Sequence, residues 1–233
     1  MIELKDIEKE LVKSDTEKLP DNFVAIAVQL NDKGVAIHSG LIIGVKGEHK
    51  LFHFTISDDI KLEDIPSEEW YFHKEIKLIS PSEVNVFLQR CKMIQDTANP
   101  RFGFFYDGSY YNEKGKLVST ANKGGYTNCS LFCINVILGY IESETYFEYS
   151  DWTSDKVSDG FYQSLVNRRP FFISEMELEN LKSILIRIPP IDYTASAFKN
   201  ELPIRKQDIG EEVELLTEHF ASYEMLINSA ASK

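Results

Sequence analysis

One cysteine in this sequence stands where a reactive thiol would be placed. Cys129 lies within GGYTNCSLFCINVILGY (124–140), where two glycines and a short polar stretch lead into an apolar run that predicts a helix. The first turn of a helix carries unpaired N–H groups and partial positive charge. Both lower the pKa of a thiol and favour the thiolate, which is the nucleophilic form. The sequence therefore predicts a Cys129 with a depressed pKa.

Two of the five histidines could serve such a thiol. His38 and His53 lie in apolar runs that predict neighbouring antiparallel strands, so we expect them within cross-strand or diagonal reach of each other. His49 is expected to be solvated in a turn, His73 to have a structural role, and His219 to have a surface or helix-packing role. A single histidine in a strand would be satisfied by a backbone carbonyl. A pair of histidines together with a helix-start cysteine favours a site.

These three residues could carry out thiol nucleophilic catalysis. A base takes the proton of the cysteine, or forms an ion pair with the thiolate, and a second polar group orients the base. The backbone N–H of Cys129 would bind the oxyanion of a tetrahedral intermediate, where each donor contributes about 10²–10³ in rate. Asn128 is expected to be the helix N-cap, or an additional donor. Ser130 and Tyr126 complete the candidate substrate-binding or oxyanion residues.

Two stretches carry a resemblance to a known family. HSGLIIGVKGEHKLFHF (38–54) and TNCSLFCINVILGY (127–140) resemble the lecithin-retinol-acyltransferase-like proteins, a circularly permuted branch of the NlpC/P60 papain-like superfamily. The order His, His, Cys is what the permutation implies. The resemblance implies that Cys129 is the nucleophile, His38 the general base and His53 the group that orients it. It also implies a cysteine hydrolase or acyltransferase, of the peptidase or amidase type, that needs no cofactor or metal.

The elements that would position these residues form an α+β fold. Three β-branched runs separated by turn residues predict an antiparallel meander, and amphipathic or apolar runs predict helices. The expected strands are 23–30, 34–45 and 49–56, with another ending the 57–80 segment, and the expected helices are 4–18, 80–97, 129–140, 156–167, 174–188 and 211–230. Residues 189–210 predict a proline-interrupted linker or extended arm.

The resemblance sets an expected organisation in three parts. These are an N-terminal helix (1–22), a permuted papain-like core (23–140) in which an antiparallel sheet packs against helices, and a C-terminal helical extension packed on the core (141–233).

Composition limits the partners. The formal net charge is -12, from 37 acidic and 25 basic residues, which disfavours nucleic acid and anionic membrane surfaces. Three cysteines make no disulfide framework, and no signal peptide or membrane-spanning run is evident, so a cytoplasmic location is expected. The expected partner is a peptide, amide or acyl substrate.

Two other interpretations fit the same sequence. The chain could be a non-catalytic binding or regulatory domain that uses its Tyr- and Phe-rich segments 102–111 and 140–152 for recognition. Alternatively, His38, His53 and a cysteine could bind zinc, which accepts these ligands.

Overall fold

A computed structural model describes residues 2–13, 20–66, 70–141, 145–155 and 184–230. These residues form a mixed α+β fold with five α-helices and ten strands. The elements in chain order are α1 (Leu4–Glu10), β1 (Val12–Lys13), β2 (Asn22–Leu30), β3 (Ala36–Val45), β4 (Glu48–Phe54), β5 (Ile60–Asp64), β6 (Trp70–Glu75), α2 (Val84–Thr97), β7 (Arg101–Phe102), β8 (Tyr110–Tyr111), β9 (Leu117–Val118), β10 (Tyr126–Thr127), α3 (Cys129–Ile141), a 3-10 helix (Tyr149–Asp155), α4 (Pro190–Ser196), a second 3-10 helix (Lys206–Ile209) and α5 (Gly210–Ala230). The expected helices 156–167 and 174–188 lie outside the described residues, except for 184–188.

The main sheet has six strands in the order β1-β6-β2-β3-β4-β5, and all its pairings are antiparallel. The predicted meander is confirmed as β2, β3 and β4. The turn between β3 and β4 contains Lys46 and Gly47, both at positive φ, which is why a glycine is useful there. Two small sheets accompany the main one: β7 pairs with β10 in parallel, and β8 pairs with β9 as a hairpin.

The main sheet has two buried faces. Successive residues of a strand point to opposite sides. One side, which we call the helix face, joins the large core with α2, α3, α4 and α5, and its strand residues include Val24, Ile26, Val28, Leu41, Ile43, Phe52 and Phe54. The other side, which we call the reverse face, carries a smaller cluster formed by Phe23, Ala25, Ala27, Ile42 and Leu51.

Helix α3 is buried through most of its length. Every residue from Ser130 to Gly139 is buried, as expected for a helix that is apolar on all sides. Its Phe132 ring packs against Phe52 and Phe54 on the helix face, with ring centroids 5.4 and 5.6 Å apart. At Gly139 a Cβ atom would lie 1.8 Å from the carbonyl oxygen of Tyr111. The close approach of this helix to the β8 strand therefore requires glycine.

The prediction of a linker or extended arm over 189–210 is wrong. Residues Pro190–Ser196 form helix α4, and its Tyr193 is fully buried. The Trp152 indole donates a 2.8 Å hydrogen bond to Oδ2 of Asp192, which lies in the first turn of α4. Proline is well tolerated in the first turn of a helix, since its missing N–H has no partner there in any case. Ile186, Ile188, Leu216 and Phe220 share the core of the preceding strands, so the described C-terminal residues pack on the sheet.

The aromatic segments mostly form core rather than a recognition surface. The buried aromatic residues of the two segments are Phe104, Phe105, Tyr106, Tyr111, Tyr146, Phe147 and Trp152. Tyr110, which is 39% exposed, is the most exposed large hydrophobic side chain among the described residues of these two segments. The expectation that these segments recognise a partner is therefore wrong for most of their residues, because the fold needs their apolar area inside.

Helices α1 and α5 pack together at one end of the sheet. Ile7 of α1 and Phe220 of α5 are both fully buried in the main core. The imidazole Nδ1 of His219 lies 3.9 Å from Glu8 Oε1. Of the surface and helix-packing roles expected for His219, the structure agrees with packing: the residue is 8% exposed and its ring contacts Phe72.

Candidate functional site

Three polar side chains form a hydrogen-bonded chain across β3, β4 and β5. His38 Nε2 lies 2.8 Å from His53 Nδ1, and His53 Nε2 lies 3.0 Å from Glu63 Oε1. The ladder explains the contact between the two rings. Extending the Leu41–Phe52 register places His53 opposite Gly40, so His38 is its diagonal neighbour on the same face.

Glycine at position 40 makes room for this chain. A Cβ atom there would lie 3.2 Å from His53 Cβ and 2.8 Å from Leu51 Cδ1. Any larger residue would press on the histidine and on its apolar neighbour.

The chain of hydrogen bonds selects one arrangement of protons when Glu63 is ionised and both imidazoles are neutral. A carboxylate only accepts, so His53 Nε2 donates to Glu63. His53 Nδ1 then accepts, and His38 Nε2 donates to it. This leaves the lone pair of His38 on Nδ1. Burial, with a smaller contribution from the nearby His53, lowers the pKa of His38 to about 4, so His38 is neutral at pH 7 and its Nδ1 can accept a proton.

Glu63 was not recognised from the sequence. It lies in β5, where Ile60 and Leu62 alternate with Lys61 and Glu63. This period-two pattern directly follows a turn and could have predicted the strand. Pairing of Leu51 with Glu63 then puts the carboxylate on the same face as His53.

Cys129 is the first residue of α3 and is partly exposed, whereas Cys91 and Cys133 are buried. Burial raises the pKa of the Cys129 thiol above its ordinary value, and the nearby polar groups of Ser39 and Ser130 oppose this shift without reversing it. The predicted depressed pKa is therefore not found. The position at the helix start was read correctly, but the sequence did not show how deeply the sulfur lies, and desolvation outweighs the helix-end effect.

Asn128 is the N-cap of α3. Its side-chain Oδ1 accepts a 3.0 Å hydrogen bond from the backbone N–H of Leu131. Its Nδ2 is buried and has no hydrogen-bond partner among the residues that the structure describes. A buried donor without a partner is uncommon and costs about 1–3 kcal/mol. This donor belongs to the residue directly before Cys129.

Ser130 and Tyr126 occupy different surroundings. The Ser130 hydroxyl is fully buried and lies 3.1 Å from the Ser39 hydroxyl, which ties the start of α3 to β3. Tyr126 is 1% exposed and its ring packs against Phe105. The backbone N–H and C=O of Tyr126 bond to the side chain of Asn122, at 2.9 and 2.6 Å. Both residues hold the approach to Cys129 in place.

The structure does not join the histidines to the cysteine. Ser39, Leu41 and Phe52 point to the helix face, where α3 packs. His53 follows Phe52, and His38 pairs with Gln29, the neighbour of the helix-face residue Val28. Both histidines therefore lie on the reverse face. Within the described part of the chain no hydrogen bond links His38 to the Cys129 thiol.

The two groups nevertheless lie at the same end of β3. His38 is adjacent in sequence to Ser39, which contacts Cys129. The pairing of β3 with β4 ends at Leu41–Phe52 and does not reach Ser39. The pairing of β3 with β2 continues to this end of β3, with a register shift between Gln29 and Leu30. The thiol and the imidazole are thus separated by a strand end that is not paired to β4. Catalytic contacts can be poorly aligned in unliganded enzymes and tighten with substrate.

A metal site formed by His38, His53 and a cysteine is not supported. Among the described residues no group of three or more His, Cys, Asp or Glu side chains is arranged to hold a metal ion. The two histidines use facing ring nitrogens to bond each other, and the nearest cysteine in α3 packs on the other face of the sheet.

Comparison with protein family models, with curated proteins and with solved structures finds no match to this chain. No described helix is long and apolar enough to cross a membrane.

Proposed function

We propose that this protein is a cysteine-dependent hydrolase or acyltransferase that acts on an amide or peptide bond, with Cys129 as nucleophile and His38 as base. The observation that carries the proposal is the His38–His53–Glu63 hydrogen-bond chain, which ends one residue from the Ser39 that contacts the thiol. Two imidazoles and a carboxylate in line leave His38 oriented by its neighbours, as a catalytic base needs to be.

The proposed reaction starts from neutral partners. With the pKa of the thiol raised and that of His38 lowered, a resting ion pair is not expected. As Cys129 Sγ attacks the carbonyl carbon, its proton passes to His38 Nδ1. The resulting imidazolium donates this proton to the leaving amine as the C–N bond breaks, which leaves a thioester on Cys129. Water or an acceptor amine then attacks the thioester carbon while His38 takes its proton, the C–S bond breaks, and the proton passes from His38 to the sulfur, which releases the product and restores the Cys129 thiol. The step requires His38 to approach the thiol at the end of β3 that pairs with β2 but no longer with β4.

The donors for the oxyanion would come from the start of α3. Asn128 uses its side-chain oxygen for the cap, so its buried Nδ2 remains available. The backbone amides of Cys129 and Ser130 precede the capped Leu131 amide and belong to the helix end that lacks intrahelical partners. Donors arranged in this way stabilise a developing oxyanion.

The proposal is tested by reaction with p-nitrophenyl acetate, with the acetylated residues identified by mass spectrometry. We expect acetyl transfer to Cys129 and a release of p-nitrophenol that Cys129→Ser abolishes. His38→Ala should slow the transfer by about a hundredfold, the lower range for a general base. His49→Ala is the matched control, since His49 lies on β4 and bonds the Pro20 carbonyl instead. Equal acylation of wild type and His38→Ala would refute the role of His38.

A second candidate is a non-catalytic binding or regulatory domain. It is favoured by the placement of Cys129 and His38 on opposite faces of the sheet and by the raised pKa of the thiol. In that case Cys129 would be acylated no faster than a free thiol of ordinary pKa, and His38→Ala would leave the rate unchanged. The same experiment therefore decides between the two candidates.

A further inference from the structure

A cavity lies away from the histidine chain, between the end of α2, the β8–β9 hairpin and the loop that leads to Cys129. Its volume is about 280 Å³, which is room for about nine waters at ~30 Å³ each. Pro100 and Leu117 give it an apolar part, and Lys116 and Lys123 line it with two cations. Ligand sites commonly combine an apolar lining with a few polar groups in this way.

The surroundings of this cavity are basic in an otherwise acidic protein. Six Lys or Arg and three Asp or Glu occur between Arg90 and Gly125, although the whole chain carries a net charge of -12. Lys50, Lys61, Lys74 and Lys199 each lie within 4.0 Å of a carboxylate. Within the described part of the chain, Lys116 and Lys123 have no such partner. Their ammonium groups are exposed to solvent and accessible to a ligand in the cavity.

The nearby carboxylates do not neutralise the two lysines. The Asp107 carboxylate already bonds to the loop of residues 119–122. Its Oδ2 accepts hydrogen bonds from the backbone amides of Thr120, Ala121 and Asn122 and from the hydroxyls of Ser119 and Thr120. Asp96 and Glu113 are not among the lining residues.

The C-terminal end of α2 contributes negative charge near the cavity, but less than the positive charge of the two lysines. A helix C-terminus carries about half a negative charge, against two ammonium groups. Lys116 and Lys123 are the only charged side chains among the described residues that line the cavity.

One wall of the cavity is already fixed in place. The Asp107 bonds hold residues 119–122, and the Asn122 side chain then bonds both backbone groups of Tyr126. The Gly125 N–H donates 2.9 Å to the Asn122 carbonyl, and Gly125 has a positive φ of 67° that suits glycine. A site that is formed before binding loses less entropy when its ligand arrives.

We propose that this cavity binds a small organic anion: a compact apolar body that carries a carboxylate or a phosphate. The apolar body lies against Leu117 and Pro100, and the anionic group lies between Lys116 and Lys123. The inference is independent of the chemistry proposed for Cys129, because none of the lining residues belongs to the histidine chain or to α3.

Titration of the full chain with phenyl phosphate and with benzoate, followed by amide NMR, tests the inference. We expect one or both to bind, with the largest shifts at Gly124 and Gly125, and phenol, the neutral control, not to bind. Lys116→Gln combined with Lys123→Gln should weaken binding by about tenfold, since each exposed charge pair contributes up to about 1 kcal/mol. Lys114→Gln is the matched control, because this lysine lies in the same hairpin but does not line the cavity.

The possible outcomes separate clearly. Preference for phenyl phosphate or for benzoate identifies the anionic group. Shifts that map elsewhere, binding of phenol as tight as that of the anions, or a double variant that binds like wild type would each overturn the inference. All three lysines are exposed, and the wild-type map stands without the variants. Failure here would leave the acylation test of Cys129 unaffected.

Discussion

The low pKa of His38 predicts that acid destabilises the fold in a defined range. An unfolded histidine titrates near 6.5, and burial holds the folded pKa at about 4. Between these values the unfolded state binds more protons than the folded state, so the free energy of unfolding falls as the pH falls from 6.5 to 4 and changes little outside this range. The difference of about 2.5 units corresponds to about 3 kcal/mol at 1.36 kcal/mol per unit.

Most of this loss should occur between pH 7 and pH 4.5, where it amounts to about 2.5 kcal/mol for His38. His38→Gln removes the term, so its free energy of unfolding should depend less on pH by that amount. Urea unfolding of wild type and variant at several pH values measures the difference. His73→Gln gives a parallel case, because burial, with a smaller effect of His49, also lowers the pKa of His73 to about 4.

The titrations of Asp107 and His219 do not disturb this comparison. The Asp107 pKa is lowered to about 2 by its hydrogen bonds, which outweigh the opposing effect of burial. Its stabilisation is therefore lost only as the pH falls from about 3.8 to 2. His219 also has a lowered pKa from burial, but it is present in both proteins and cancels. A His38→Gln variant that loses as much stability as wild type between pH 7 and 4.5 would refute the assignment of a buried, neutral His38.

Three further changes have defined outcomes. Glu63→Gln replaces the carboxylate that bonds His53 with a neutral amide, which keeps an acceptor oxygen but carries no charge. The acetylation rate of Cys129 should therefore fall and the acid limb of its pH profile should move, while the free energy of unfolding at pH 7, measured in urea, changes by less than about 2 kcal/mol; an unchanged rate profile would count against the chain. Asn128→Ala should lower the free energy of unfolding by about 1 kcal/mol, because the Leu131 cap is lost, and chemical denaturation measures it; no loss would mean that the cap contributes nothing. Gly139→Ala forces a Cβ against the Tyr111 carbonyl and should cost about 3 kcal/mol or more, seen as a lower thermal midpoint; a variant as stable as wild type would show that α3 can shift outward.

The sequence was most informative where local chemistry decides the structure. The meander was predictable because its apolar runs are separated by turn residues, and the contact of His38 with His53 follows from the short turn between their strands. The long helix after Asn128 was predictable from its apolar run and its cap. These features depend on neighbours in the chain.

The parts that failed depend on contacts distant in sequence. Residues 38–45 are apolar on both sides, so the pattern could not say which side meets α3, because moving a strand by one residue exchanges its two faces. The pKa of Cys129 was misjudged because it depends on how deeply α3 lies against the sheet. Pro190 was read as a breaker, whereas tertiary packing of Tyr193 makes it a helix start.

The packing of α1 against α5 has a consequence for how the chain reaches its native state. Ile7 and Phe220 share one core, although about 200 residues separate them. Contacts between such distant parts of a chain form late, because the loop between them must first be closed. During synthesis, the strand residues that α5 covers, such as Phe72, remain open to water until α5 has left the ribosome. Until then the nascent chain carries an uncovered apolar surface, and this period is when it is most exposed to aggregation and most dependent on chaperones.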